Sequence, residues 1–105
     1  MSHFTNLKTR ITDSDALIKN MGSRQVEVHP TAQSLYGCQG DVRQQTAEVI
    51  IRRKYVGRAS NDIGFKRGED GTFDAVISDD DRRKYSEEWL NRLTQRYAYH
   101  AACAS

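Results

Sequence analysis

At 105 residues the chain is long enough for one domain with a single core and too short for a second. Hydrophobic residues make up 37% and charged residues 29%, the balance of an ordinary globular domain, and no apolar run approaches the roughly 18 residues of a membrane-spanning helix. A net charge of +2 does not by itself point to nucleic acid, because that binding rests on many cations gathered on one surface.

Met1 to Thr5 has neither the basic head nor the apolar run of a secretory signal, which predicts a protein working in the cytoplasm or in a plastid interior. Cys38 and Cys103 are far apart and lack the spacing of a redox pair or a zinc knuckle, so no disulfide is expected.

His3 to Ile11 alternates, with Thr5, Leu7, Thr9 and Ile11 on one side, and predicts a first strand. Thr12 and Asp13 then offer N-caps to a short helix carrying Ala16, Leu17 and Met21, which stops at Gly22. Arg24 to His29 predicts a second strand with Val26 and Val28 inward, ended by Pro30. Thr31 to Gln45 reads as a loop that includes an irregular strand at most. Thr46 to Tyr55 is the strongest strand signal, rich in β-branched residues and apolar on both sides near Ile50 and Ile51, as an interior strand is.

Gly57 to Asp62 reads as a turn. Ile63 and Phe65 precede, and Phe73, Ala75 and Ile77 follow, an Asp70-Gly71 hairpin signal in which the glycine supplies positive φ. Ser78 to Lys84 reads as a charged linker. Ser86 to Ala104 is the longest periodic segment: Trp89, Leu90, Leu93 and Tyr97 share one helix face, with Ser86 as N-cap and Glu87 and Glu88 in the first turn. The order predicts a single two-layer α+β domain over residues 1–105, an antiparallel sheet of four to five strands with two helices on one face. Its expected core is Leu7, Ile11, Leu17, Val26, Val28, Val49, Ile51, Phe65, Phe73, Ile77, Trp89, Leu90, Leu93 and Tyr97.

Three patterns carry candidate chemistry. His100 and Cys103 have ligand-compatible spacing, and a soft-metal site would need His3 or His29 to converge on them; the ordinary explanation is a histidine favoured by the helix C-terminal dipole. Cys38 lies between glycines as a nucleophile might, but one loop thiol with three scattered histidines explains itself as an ordinary thiol. Gly64, Gly68 and Gly71 belong to a hairpin and open no helix, so they form no phosphate loop. No catalytic residue, metal or other cofactor is expected.

The basic residues are more informative. Arg52, Arg53 and Lys54 end the third strand, Lys66 and Arg67 stand on the next, and Arg82, Arg83 and Lys84 precede the last helix. With the strands as neighbours, these groups would merge into one cationic surface for an acidic protein or for nucleic acid, while a solvated sheet edge explains them equally well. On the last helix Arg92 and Arg96 share a flank, and Tyr99, about 200° from Tyr97, projects near it; tyrosine and arginine together suit a protein contact. The expected partner is an acidic host protein or a second copy, with nucleic acid as the alternative and no membrane.

Met1-Ser2-His3-Phe4-Thr5, Asp62-Ile63-Gly64-Phe65 with Asp70-Gly71-Thr72-Phe73, and Leu90 through Tyr97-Ala98-Tyr99-His100 together resemble the hypothetical chloroplast reading frame thirty-five family, found in algal plastids and cyanobacteria with relatives in other bacteria and in cyanophages. The chain departs from it in carrying Asp79 to Lys84 where members have a tryptophan-containing segment, and members continue beyond the Tyr-Ala-Tyr-His run with further helix and strand. A short, divergent member is therefore expected, with self-association covering apolar surface that the extension would cover. The resemblance implies a photosynthetic-lineage setting and carries over no catalytic residue.

Overall fold

Alternating apolar and polar residues along five short runs give five strands, and the 3.6-residue stripes on either side of them give the helices that cover one face. A computed structural model describes residues 3–20, 26–57 and 59–104, apart from the side chains of 16, 20 and 97–104. In chain order the elements are β1 (Phe4–Lys8), α1 (Ser14–Asn20), β2 (Glu27–Tyr36), β3 (Val42–Ile51), α2 (Arg53–Val56), β4 (Ile63–Arg67), β5 (Phe73–Ser78) and α3 (Glu87–Ala104). The strands form one sheet in the order β1-β5-β4-β3-β2, every neighbouring pair antiparallel. The α+β class and the antiparallel sheet agree with the sequence reading.

The main core lies between the sheet and the helices. Val49, Ile51, Ile63, Phe65, Phe73, Ala75 and Ile77 point to one face, where they meet Ile11, Leu17 of α1, Val56 of α2, Tyr85, and Leu90 and Leu93 of α3. Tyr85 anchors α3 at its start: its ring packs edge-on against Trp89 at 5.0 Å and its hydroxyl donates to the Val56 carbonyl at 2.9 Å. Residues of opposite parity, Ile50 and Val76, lie on the other face with Leu35 and Ala47, and Phe4 packs against them. This second cluster forms because the β2–β3 hairpin bends back over the sheet. Tyr36 pairs with Val42 near the hairpin tip, yet its carbonyl also accepts the Asp62 N–H at the start of β4.

The structure corrects several expectations. Pro30 does not end β2, which runs on to Tyr36. A proline is tolerated because β2 is an edge strand, and the register shift between Val28 and Gln33 absorbs its missing N–H. Much of the expected Thr31–Gln45 loop is thus hairpin. Val28 is half exposed, and Leu35 supplies the buried side chain of this strand. β3 ends at Ile51, not Tyr55, and a third helix, the single turn α2, follows. β1 spans Phe4–Lys8; beyond it Thr9 turns inward, its hydroxyl donating to the Phe73 carbonyl at 2.6 Å. Asp13 caps α1, its carboxylate accepting the Asp15 N–H at 2.9 Å. Met21, Gly22, Arg24 and the side chain of Tyr97 lie outside the described residues.

The β4–β5 hairpin forms as its sequence predicts. Gly68 and Thr72 close the turn with a 2.7 Å bond, Gly71 takes φ +85°, and Asp70 accepts from both the amide and the hydroxyl of Thr72. No helix among the described residues is long and apolar enough to cross a membrane.

Candidate functional site

The Asn61-Asp62 dipeptide, read from sequence as part of a turn, is the most densely bonded polar point among the described residues. Both side chains are fully buried, so each polar atom must find a partner. Asp62 accepts the Arg53 N–H at 2.7 Å on Oδ1, and the Tyr36 N–H at 2.8 Å and Arg52 Nη1 at 2.9 Å on Oδ2. Taking the Arg53 N–H turns the chain out of β3 into α2, which is why the strand stops early. Asn61 accepts the Cys38 N–H at 2.9 Å and donates through Nδ2 to Ser78 Oγ at 2.9 Å, while its own N–H reaches Asp81 Oδ2 at 2.9 Å. Two residues thereby join the tip of the β2–β3 hairpin, the start of α2 and the end of β5.

Arg52 extends this cluster to the surface. Its Nε and Nη2 hold both oxygens of Glu27 at 2.8 and 2.9 Å, Nη1 also reaches the Ser34 carbonyl, and the guanidinium lies 5.0 Å over the Tyr36 ring. Glu27 in turn meets His29 Nε2 at 2.9 Å. The fork-on-fork pairing with Arg52 pulls the Glu27 carboxyl from 4.5 down to about 2, and the same pairing raises the Arg52 guanidinium further. A depressed carboxyl stabilises the fold fully above its unfolded value and loses that contribution as pH falls towards its folded value. Stability should therefore decline between about pH 4.5 and 2 by a part that Glu27→Gln removes. Glu27 is 42% exposed, and solvent screening holds that part below about 1 kcal/mol. Acid-denaturation curves of the wild type and Glu27→Gln that run parallel through this window would contradict the assignment.

The cluster opens on a cleft of about 410 Å³ lined by Tyr36, Gly40, Arg52, Arg53, Lys54 and Asp62. The structure thus brings Arg52, Arg53 and Lys54 together and separates them from Lys66 and Arg67, while Lys84 lies by the end of α2, its Nζ 3.9 Å from where a Gly57 Cβ would stand. Lys66 and Arg67 stand at the far end of β4, about 10–13 Å along the strand from Ile63. There Lys66 donates to Thr46 Oγ1 at 3.3 Å, while Arg67 donates to the Thr12 and Gly71 carbonyls and covers the Phe73 ring at 4.4 Å. Arg92 and Arg96 are exposed on α3, on the flank away from Leu90 and Leu93. The side chains of Tyr99, His100 and Cys103 lie outside the described residues. His3 is exposed, His29 is engaged by Glu27, and Cys38 is a partly exposed free thiol. Among the described residues no three of His, Cys, Asp and Glu gather as a metal site.

The family model described as "Protein of unknown function (DUF1257)" matches residues 19–105, most of the chain and all of the cleft. The chain belongs to the DUF1257 family. No curated protein and no solved structure matches it. In this DUF1257 chain, sequence reading had marked Arg52 to Lys54 but missed Asn61, Asp62, Ser78 and Asp81. The partners of Asn61 and Asp62 lie 9 to 26 residues away in sequence, where no local pattern announces them, although Ser78 and Asp81 also bond each other three residues apart.

Proposed function

We propose that this protein is a small non-enzymatic binding protein that docks an acidic protein partner at the corner formed by β2, the start of β3 and α2. The observation that carries this is where apolar surface is left uncovered. The large hydrophobic side chains most exposed among the described residues are Val28, Tyr36, Val42 and Tyr55, and all four belong to these elements. Tyr36 and Val42 are cross-strand partners, and Tyr36, Arg53 and Lys54 share the cleft. An apolar patch beside cations, on an edge strand, is the composition of a protein-docking surface. The resemblance to the plastid reading-frame family supports a setting in cyanobacterial cytoplasm or plastid stroma, with a host protein as the partner if the chain is virus-encoded.

A second reading has its own observation. Cations lie 5.0 Å over the exposed rings of Tyr36 and Tyr55, the pairing that a single-stranded nucleic acid platform uses. Affinity capture from cyanobacterial lysate, with and without nuclease, separates the two. The docking role predicts a discrete protein that survives nuclease and is lost with Tyr36→Ser/Val42→Ser. Recovery only of nucleic-acid-associated proteins that vanish with nuclease would overturn it. The Arg92→Glu/Arg96→Glu reversal tests whether the α3 flank extends the interface: unchanged capture removes that flank from it.

A further inference from the structure

Two adjacent arginines in the cleft are held in opposite ways. Arg52 is saturated by Glu27 and Asp62. Arg53 donates through Nη1 to the Cys38 carbonyl at 2.8 Å and through its main-chain N–H to Asp62, and no carboxylate lies within ion-pairing distance of its guanidinium among the described residues. A carbonyl fixes where a guanidinium points without cancelling its charge. Across from it Gly40 has no side chain, and since a Cβ there would stand 3.7 Å from Arg53 Nη2, the glycine leaves room beside that nitrogen in the cleft. Lys54 adds a second cation, also without a carboxylate partner among the described residues, and partly exposed Tyr36 supplies an apolar wall.

We propose that this cleft is an anion subsite that receives an aspartate or glutamate side chain of the partner, with Arg53 gripping the carboxylate and Lys54 adding charge. The inference rests on the docking role above and names the group that enters. A planar guanidinium already fixed along one side presents the rest of its fork to a planar carboxylate. One arginine and one lysine, neither with a carboxylate partner among the described residues, suit such a monoanion. A phosphate monoester is ordinarily met by an arginine cluster, and here the neighbouring Arg52 is already committed to Glu27 and Asp62.

The test is an NMR titration of the ¹⁵N-labelled full chain with hexaglutamate peptide blocked at both ends, with hexaglutamine and inorganic phosphate as parallel arms. The expected result is shifts centred on Gly40, Arg53 with its Nε–H, and Lys54, and none with hexaglutamine. Arg53→Gln should weaken binding by about tenfold, Arg53→Lys by less, and Arg92→Glu/Arg96→Glu by under about twofold. Shifts centred on Lys66 and Arg67 or on α3 would overturn the proposal, as would binding unchanged by Arg53→Gln. Phosphate that displaces the peptide from the same amides at lower concentration would replace the carboxylate with a phosphate and equally overturn it. If Arg53→Gln disturbs amides throughout the fold, the Arg53→Lys variant decides in the same way. A partner captured through Tyr36 and Val42 but indifferent to Arg53→Gln sinks the subsite and leaves the docking role. A titration centred on Arg53 with no partner captured sinks the role and leaves the subsite.

Discussion

Asp62→Ala is expected to lower the stability of the fold by about 3–5 kcal/mol, chiefly the cost of leaving buried main-chain donors without their acceptor. Two donors lose their acceptor outright, the main-chain amides of Tyr36 and Arg53, and Arg52 Nη1 is left with the Ser34 carbonyl alone. The site is fully buried, so water does not simply replace the carboxylate, and each stranded donor carries a desolvation cost. Against a total stability of about 5–15 kcal/mol, the loss takes a large share. With a urea slope of about 1–3 kcal/mol per molar, the unfolding midpoint should fall by at least about 1 M. Asp62→Asn keeps the shape and one acceptor and should cost less. Arg52→Ala combined with Asp62→Ala should cost less than the sum of the two, because the Arg52–Asp62 bond is lost in both single variants and can be lost only once. A midpoint for Asp62→Ala within about 0.3 M of the wild type would show that the three bonds do not hold the hairpin to the sheet.

Gly64→Ala should destabilise by about 1–3 kcal/mol, against the ordinary preference for alanine over glycine in a strand. Gly64 pairs with both Ile50 and Val76 inside the sheet, on the face that the β2–β3 hairpin folds over. A Cβ there would stand 2.6 Å from the Ala47 Cβ and 3.1 and 3.3 Å from the two methyl carbons of Leu35. Carbon atoms separate at roughly 3.5–4.0 Å, so the hairpin must lift or the sheet must yield. Lifting it would also strain the Tyr36 to Asp62 bonds, so the effect should spread to the α2 corner. Ala47→Gly placed in the Gly64→Ala background removes the closest contact and should recover part of the loss. Thermal unfolding of the wild type and the two variants checks this, and a Gly64→Ala protein as stable as the wild type would contradict the close approach.

These two positions mark where the sequence could be read and where it could not. The β4–β5 hairpin was legible because Asp70-Gly71 is a local instruction, and α3 because its periodicity runs through several turns before its first residues need any partner. The interior place of β3 was legible from Ile50 and Ile51 pointing to opposite faces. The path of β2 was not, because Pro30 ends most strands and is excused only by an edge position that the topology decides. Val28 follows from the same cause: on a bent edge strand, alternation does not tell which side is covered. Arg52, Arg53 and Lys54 were visible as charges, but their division into one saturated cation and two without a carboxylate partner among the described residues depends on Glu27 and Asp62, which the fold brings from 25 and 10 residues away. Gly64 reads as a weak point in a strand until Leu35 and Ala47 are seen packed onto it.

Amide hydrogen exchange of the full chain, alone and with the partner recovered by nuclease-treated capture, tests the docking corner most directly. The account predicts added protection in β2 from Val28 to Tyr36, at Val42 and Gly40, and across Arg53 to Tyr55, with little change at Lys66 to Gly71 or along α3. Protection confined to the α3 flank, or to the β4–β5 hairpin, would contradict the assignment of this corner as the surface by which the protein works.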